Sequence, residues 1–384
     1  MTIKEILENI DGIQNQQIQE WLAARHYVLG RCNHLDGAKG LKIDSDKHVH
    51  VKITLDNEDN EENNSLAMAI ARQVALITHY PNFKESEETT RTIISIIYKK
   101  CDSSKLKKLL KMYLSNLPDY CQFLVDGKDE SLYYHTYKNY MPLDIAIEIR
   151  QEGTESFLCP KDDNKAIIKD IKMSDVLKDN SCNTPIDAIS IKRSMLINTA
   201  YKTGADIDNL PAYDNANVYR YSIALDCFFN HSSEEYVQNK WDKAKVMDKL
   251  SCLFCADCMN ERLDGLFDTH GLTMVQYIKK NKKDVIKTIQ ENIDALALCE
   301  HSRWNVEKLL LGFRPYSILE QFTIESLFGD AKKNYRRKLK DKGVHLDLCS
   351  YPNLRRIDPG NIKYDYFLVL AIPHILLSLN SATL

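Results

Sequence analysis

Two apolar segments joined by a helical segment place the strongest constraint on what this chain can fold into. "HVHVKITLD" (48–56) alternates apolar and polar residues and predicts a strand. "RTIISIIYKK" (91–100) has a continuous apolar centre, which is typical of a strand buried on both faces. Between them, "SLAMAIARQVALITHY" (65–80) predicts a helix capped by Asn64 or Ser65. A strand, a helix and a second strand in this order favour a parallel or mixed sheet.

The remaining pattern extends this α/β arrangement as far as about residue 195. A helix is expected at 104–117, after the second strand, and two helices are expected within 3–30. The segment 143–150 alternates strictly, so it is predicted to be an edge strand with one wet face. Further strands are expected at 166–171 and 187–193.

Strand patterns fade after residue 194, and helical patterns follow. Helices are expected near 218–230, 233–240 and 241–265, and one helix is expected over 279–304. We therefore predict an α/β Rossmann-like domain with a mixed or parallel sheet, followed by an all-α region. The predicted segments are N-terminal helices (1–42), the α/β domain (43–195), a helical linker region (196–284) and a small helical domain (285–384).

Composition places the chain among ordinary globular proteins and argues against several classes. It has 384 residues, 44% hydrophobic and 27% charged, and its net charge of −3 gives no basic surplus for nucleic acid. The 11 cysteines are an odd number, and "MTIKEILENIDG" has no signal-peptide pattern, so free thiols and a cytoplasmic location are expected. The longest apolar run, "YFLVLAIPHILL" (366–377), is too short to span a bilayer and contains Pro373, so no membrane insertion is expected.

The first predicted strand ends in "DNEDNEENNS", where a dinucleotide-binding domain would carry a glycine-rich turn. Acids stand there instead, and they would repel a pyrophosphate, so the usual NAD site is absent or remodelled. Either a carboxylate metal cluster or a solvated loop with a helix cap explains them. The acidic side chains are Asp56, Glu58, Asp59, Glu61 and Glu62. No phosphate-loop, nucleophile-elbow or zinc-protease motif occurs, so no catalytic residue is named and no metal is predicted.

"CLFCADC" spaces Cys252, Cys255 and Cys258 as some iron–sulfur proteins do. Such clusters need a fourth thiolate nearby, but the next cysteine is Cys299. A zinc finger is not favoured either, because His270 lies outside the required spacing. Because the flanking sequence is helical, we interpret these residues as small buried thiols of a helix.

"LALCEHSRWNVEKLLLGFRP" (296–315) predicts a helix with a tryptophan on its polar side. An apolar stripe covers one face, and Glu300, His301, Trp304 and Lys308 lie opposite it. Two interpretations stand: a second element buries this side, or Trp304 is an aromatic platform ringed by charge in a ligand cleft. Basic runs at 279–283 and 331–343 flank this segment, and they are either solvated helix faces or phosphate-facing surfaces.

The same segment resembles the first half of the RyR domain, the small helical repeat named after ryanodine receptors and also found in bacterial proteins. The bacterial form has Glu-His-x-Arg-Trp on a helix, followed by glycine and an aromatic residue, as at Glu300, Trp304, Gly312 and Phe313. The second half of the family pattern matches in order at His345, Leu348, Tyr351, Leu354, Lys363 and Asp365. The chain departs from it by lacking a proline after His345 and by an insert at 316–341.

A second similarity to bacterial RyR proteins lies upstream. Those proteins often carry a Rossmann-like, TrkA-N-like domain and then a linking helix with tryptophan, serine and alanine, which resembles Trp241, Ser251 and Ala256. The resemblance therefore implies a RyR-like domain at 285–384, C-terminal to the α/β domain.

The resemblance implies a binding module for an adenine nucleotide or a cyclic oligonucleotide, as in bacterial anti-phage signalling. By analogy Trp304 stacks on a base, Tyr351 supplies a second stacking face, and Glu300 or His301 contacts the base edge or ribose. Lys308, Arg303 or Arg314 neutralises phosphate, and Lys363 and Asp365 complete the matched set.

The first hypothesis is a nucleotide sensor or effector that forms a homo-oligomer, with no nucleic-acid partner. Two alternatives remain open: a nucleotide-processing enzyme that uses the α/β domain, and a module that binds a peptide from a partner protein.

Overall fold

A computed structural model describes residues 2–10, 13–32, 35–37, 40–56, 60–86, 92–160, 163–178, 186–206 and 215–378. The strands are β1 His48–Leu55, β2 Thr92–Tyr98, β3 Gln122–Val125, β4 Lys128–Asp129, β5 Ile145–Gln151 and β6 Ala166–Lys172. The helices of the first half are α1 Ile3–Glu8, α2 Asn15–Arg31, α3 Glu61–Ile77, α4 Ser103–Leu114, α5 Leu117–Tyr120, α6 Tyr134–Tyr137 and α7 Met173–Val176.

The second half of the chain is helical. Its helices are α8 Ile186–Asp206, α9 Asn215–His231, α10 Glu234–Asp242, α11 Val246–Asp257, α12 Met259–Asp264, α13 Met274–Glu291, α14 Ile293–Leu310, α15 Ile318–Glu325, α16 Gly329–Lys340, α17 Tyr351–Ile357 and α18 Ile362–Ser378, with a 3₁₀ turn at Pro359–Asn361. Among the described helices, none combines the length and apolar composition that crossing a bilayer requires.

The strands form one mixed, mostly parallel sheet in the order β4-β3-β5-β2-β1-β6. Among the described strand pairs only β3–β4 is antiparallel, and β1 lies between two parallel partners, β2 and β6. The predicted succession of an α/β region and a helical region is therefore confirmed. The larger of two buried apolar clusters in the described residues runs from Ile3 to Leu376 and includes residues of all four predicted segments.

Two strand predictions are wrong. The segment 143–150 is not an edge strand, because β5 lies between β3 and β2. Its polar residues, Glu148 and Arg150, are buried, since the connection between β5 and β6 crosses this face. The segment 187–193 is not a strand but the first part of α8, which packs against α11 and α18. The short strands β3 and β4 lie outside every predicted strand.

Several predicted boundaries also differ from the structure. Helix α3 begins at Glu61, capped by Asn60, whose side chain accepts a hydrogen bond from the Asn63 amide. The helix predicted over 279–304 is two helices, α13 and α14, separated at Asn292. The predicted segment limits near 195 and 284 fall inside α8 and α13.

The two faces of the sheet are covered by different parts of the chain. Val51, Ile94 and Ile147 occupy paired positions on one face and belong to the apolar cluster, together with residues of α3 and α4. The opposite face carries His50, paired with the 52% exposed Ile168 of β6. The described residues of the β5–β6 connection (152–160 and 163–165) cross that face, and the Phe157 amide donates to the Glu148 carboxylate at 3.2 Å. This second face is therefore partly polar and only partly covered.

Candidate functional site

Helix α14 carries most of the predicted ligand-binding residues, and its end is fixed by the local sequence. Gly312 has a φ of +83°, a left-handed conformation that glycine adopts without strain. The Phe313 amide donates to the Lys308 carbonyl at 2.9 Å, and the Gly312 amide donates to the Leu309 carbonyl at 3.1 Å. These two bonds form a Schellman cap. The cap ends the helix one turn after Lys308.

The polar side of α14 is buried rather than exposed to a cleft. Glu300, Arg303 and Glu307 are each at most 1% exposed. The Arg303 guanidinium donates to both oxygens of Glu300, at 2.8 and 3.0 Å, and to Glu307 at 2.6 Å. Arg262 of α12 forms an ion pair with Glu300, and the Ser251 hydroxyl of α11 donates to Glu307 at 2.9 Å. A second element therefore packs over the part of this side that Glu300, Arg303 and Glu307 form, whereas Trp304 is only partly buried.

Charge in this network is nearly balanced. Burial by itself raises the pKa of Glu300, but the Arg262 and Arg303 guanidiniums lower it, and the net pKa lies below its usual value. Burial likewise raises the pKa of Glu307, and Lys308 and Arg303 bring it below its usual value. The Lys308 ammonium lies 2.6 Å from Glu307. Three cations and two anions therefore meet here, which leaves one positive charge in the network.

The cysteines of "CLFCADC" lie next to this network of ion pairs. Cys252, Cys255 and Cys258 are buried free thiols at α11 and its C-terminal end, so their interpretation as small buried thiols is confirmed. The Arg262 guanidinium donates to the Cys258 sulfur at 3.0 Å and to the Cys255 sulfur at 3.6 Å. They fill space and accept hydrogen bonds around a buried arginine.

His301 fastens α14 to the C-terminal helices. Its Nε2 lies 2.8 Å from the Cys349 carbonyl, and its Nδ1 lies 3.5 Å from Asp365 of α18. Burial lowers the pKa of His301, but the Asp365 carboxylate and the Cys349 side chain raise it, and the net pKa lies well above its usual value. The Tyr351 ring lies 5.2 Å from the His301 ring, and Tyr351 is only 5% exposed.

The remaining predicted residues also have protein partners. Arg314 binds Glu320 through two contacts of 2.8 Å, and this pair bridges to the insert helix α15. The Lys363 ammonium lies 5.3 Å from the Tyr364 ring centroid. Ligand contacts by these residues remain predictions, and most of them would first require an existing ion pair or hydrogen bond within the protein to break. The residues are Glu300, His301, Arg303, Arg314, Tyr351, Lys363 and Asp365.

Trp304 differs from its neighbours because it is only partly buried. The His345 ring meets it edge-on, with centroids 4.9 Å apart, and the His301 ring lies parallel to it at 6.1 Å. The Lys308 ammonium lies 5.5 Å from the Trp304 ring centroid, within cation–π range. Trp304 and Lys308 are thus two predicted residues that remain beside each other at the edge of the packed region.

Further cations converge on this place. Burial lowers the pKa of His345 well below its usual value, and Lys340, Lys308 and Arg336 lower it further. Burial also lowers the pKa of Lys340; the nearby Lys308 and Lys245 add to this effect, while Asp248 and Asp347 oppose it, and the net pKa lies below its usual value. In the described part of the chain, neither Lys245 nor Lys340 forms a salt bridge. We call Trp304, His345, Lys245, Lys308 and Lys340 the tryptophan–lysine site.

Sequence patterns indicated this site only in part. Lys340 lies in the basic run 331–343, for which a phosphate-facing surface was one of two interpretations. The backbone explains its position: the Arg314 amide donates to the Gly343 carbonyl at 2.8 Å, and the His345 amide donates to the Arg314 carbonyl at 3.0 Å. These two hydrogen bonds hold the C-terminal end of α16, where Lys340 lies, beside the C-terminal end of α14. Lys245 precedes α11 and belongs to no recognisable motif.

The acidic loop after β1 has a structural role where it is described. Asp56 accepts hydrogen bonds from the Ser174 amide at 2.9 Å and from the Ser174 hydroxyl at 2.5 Å. Glu61 and Glu62 lie in the first turn of α3 and are exposed. Glu58 and Asp59 lie outside the described residues. The described part fits the solvated loop and helix cap, one of the two interpretations that the sequence left open.

A pocket of about 220 Å³ lies elsewhere, between the insert and α17. It is smaller than the ~300–1,000 Å³ typical of small-molecule sites, and no predicted ligand-binding residue lines it. Its lining comprises Tyr140, Gln321, Ile324, Glu325, Lys332, Leu346, Arg356 and Ile357.

Comparisons of the chain with protein-family models, with curated proteins and with solved structures give no match.

Proposed function

We propose that this protein is a cytoplasmic sensor of a nucleotide-derived anion, which it binds at the tryptophan–lysine site. The observation that carries the proposal is the Lys308 ammonium 5.5 Å from the ring centroid of the partly buried Trp304, with Lys340 near Lys308 and His345, and Lys245 near Lys340. An aromatic face and clustered ammonium groups are complementary to a base and its phosphates. The resemblance of 296–315 to the RyR family supports the same ligand class.

In this proposal the predicted residues divide into two groups. Trp304 and Lys308 contact the ligand, and Lys245, Lys340 and His345 join them. Glu300, Arg303 and Glu307 instead hold α14 against α11 and α12, which fixes where Trp304 and Lys308 project. His301 and Asp365 do the same toward α18.

The expected affinity follows from these contacts. Stacking of one base on Trp304 contributes about 1–3 kcal/mol. Each charge-assisted hydrogen bond from a lysine to phosphate contributes about 1.5–3 kcal/mol. Two or three such bonds with stacking approach the roughly 8 kcal/mol that micromolar binding requires.

A route for signalling is built into the same contacts. Lys308 lies 2.6 Å from Glu307, which also holds Arg303 and Ser251. A phosphate that binds Lys308 competes with Glu307 for its ammonium group, and so biases the network that joins α14 to α11. Binding would then shift the packing of the helical region, or the oligomeric state, as in a signalling effector of bacterial antiviral defence.

A thermal-shift screen of the purified protein tests the proposal. The panel contains ATP, ADP, AMP, ADP-ribose, NAD, S-adenosylmethionine and cyclic di-, tri- and tetranucleotides. A ligand at a hundred times its Kd stabilises by about 2.7 kcal/mol, which raises Tm measurably. We expect a shift with one class of nucleotide that is lost in Trp304→Ala and largely kept in Trp304→Phe. If no nucleotide shifts Tm, or if the shift persists in Trp304→Ala, the proposal is wrong.

A further inference from the structure

A second cluster of chemically active side chains lies on the partly polar face of the sheet, away from α14. The β5–β6 connection carries Cys159 and Asp163 to the first residue of β1, His48. The His48 amide donates to the Lys165 carbonyl at 3.1 Å, and the Cys159 amide donates to the Ser156 hydroxyl at 2.9 Å. Backbone contacts therefore fix both ends of this arrangement.

The three side chains offer one ligand atom each, and all three atoms lie within 4.8 Å of one another. His48 Nε2 lies 3.6 Å from the Asp163 carboxylate. From zinc–ligand bonds of about 2.0–2.3 Å, the ligand atoms of a tetrahedral site lie roughly 3.3–3.8 Å apart. Small rotamer changes would bring all three atoms to that separation.

The donor set selects the kind of metal. Imidazole, thiolate and carboxylate together suit Zn²⁺, whereas Mg²⁺ and Ca²⁺ favour oxygen ligands alone. A dication held by one thiolate and one carboxylate is electrically neutral, so burial of the cluster does not oppose its binding. His48 and Cys159 are 7% and 6% exposed, while Asp163 is partly open to solvent and provides an entry path.

The neighbourhood of the cluster also contains an unused ligand-type atom. His50 lies two residues further along the same face of β1 and is 1% exposed. Its Nε2 lies 2.6 Å from the Ser95 hydroxyl, which donates to Glu148 at 2.5 Å. Its Nδ1 has no hydrogen-bond partner within the described residues. A buried imidazole nitrogen without a partner costs free energy unless something occupies its surroundings.

We propose that His48, Cys159 and Asp163 form a zinc site that holds the β5–β6 connection against the sheet. Three protein ligands leave a fourth coordination position, which a water molecule takes. The zinc site shares no residue with the tryptophan–lysine site, so this proposal does not depend on the proposed function.

Cobalt substitution in the full-length, reduced and chelator-treated protein tests this site. Co²⁺ bound by a thiolate in tetrahedral geometry gives a near-ultraviolet sulfur-to-cobalt band and intense visible bands. We expect one equivalent of Co²⁺ to produce both, and Zn²⁺ to displace it. Cys159→Ser removes the sulfur band, and Asp163→Ala weakens Co²⁺ binding at least tenfold. The matched control, Cys349→Ser, removes another buried thiol and keeps both bands.

The wild-type protein alone can overturn the proposal. If it gives no sulfur-to-cobalt band, there is no such site, whether or not the variants fold. If Cys159→Ser, with a wild-type circular dichroism spectrum, keeps the band, another thiol binds the metal and the assignment is wrong.

Discussion

The Arg303 guanidinium lies 2.6 Å from the Glu307 carboxylate one turn further along α14, and both side chains are at most 1% exposed. An isolated buried charge is costly, so this pair persists because Glu300, Arg262, Ser251 and Lys308 complete its contacts. Ion pairs therefore hold α14 along the part of its polar side that Glu300, Arg303 and Glu307 form.

Removing one member of this network should destabilise the fold strongly. Arg303→Met leaves Glu300 and Glu307 undercompensated in the interior, and we expect a loss of about 3–5 kcal/mol in the free energy of unfolding. Arg356→Met is the matched control, because Arg356 forms an exposed pair with Glu325. That change should cost less than about 1 kcal/mol. Urea unfolding of both variants measures the difference, and equal midpoints would contradict a buried network.

Gly312 tests the cap that ends α14. Gly312→Ala places a side chain at φ +83°, and its Cβ would lie 3.5 Å from the Ser115 hydroxyl, an ordinary contact. Backbone strain is then the main cost, about 1–2 kcal/mol. Gly360→Ala serves as the control, because a Cβ there would meet nothing within 4 Å and the backbone is not left-handed. Thermal unfolding of the pair measures the cost, and similar Tm values in the two variants would contradict the cap.

His374 makes the helical region sensitive to acid. Burial and, to a smaller extent, Lys282 lower its pKa, Asp226, 3.6 Å away, opposes them, and the net pKa is about 4. The folded pKa lies below the unfolded value of 6.5, so the unfolded chain binds more protons between these pH values. Stability from this group is therefore present above pH 6.5 and is lost as the pH falls toward 4.

A neutral replacement should remove part of that sensitivity. Between pH 7 and pH 4.5, His374→Gln should lose about 2 kcal/mol less unfolding free energy than the wild type. The comparison is made between pH values within each protein, so a constant cost of the substitution cancels. Parallel pH profiles for the two proteins would show that His374 does not titrate in this way.

Sequence patterns predicted the parts of the fold in which local signals are strong. β1 and β2 have long apolar patterns, and the structure places both in the sheet. β3 has four residues, two of them only partly buried, which is too little for a periodic signal. The pattern places β5 at an edge because Glu148 and Arg150 look solvated, whereas the connection that follows β5 turns back and covers them. The apolar, β-branched start of α8 resembles a strand, and packing against α11 and α18 decides otherwise.

The candidate site shows the same limit. The helix, its terminal glycine and the position of Trp304 follow from local sequence, whereas the burial of Glu300 does not. Arg262 pairs with Glu300 across 38 positions of the chain, and Asp365 meets His301 across 64. Nothing in the sequence of α14 indicates either partner, so the sequence alone allows its polar side to be exposed to solvent. Lys245 joins the site for a similar long-range reason.

Calorimetric titration with ATP and with each cyclic nucleotide of the panel tests the central claim most directly. Wild type, Lys340→Met and Lys338→Met are compared, since the two lysines share α16 but point to different sides of it. We predict micromolar binding of one nucleotide, weakened about tenfold to a hundredfold in Lys340→Met, because one charged hydrogen bond is lost. Lys338→Met should bind as the wild type does. Equal affinities in all three proteins, or no binding at all, would contradict a nucleotide site at Trp304 and its lysines.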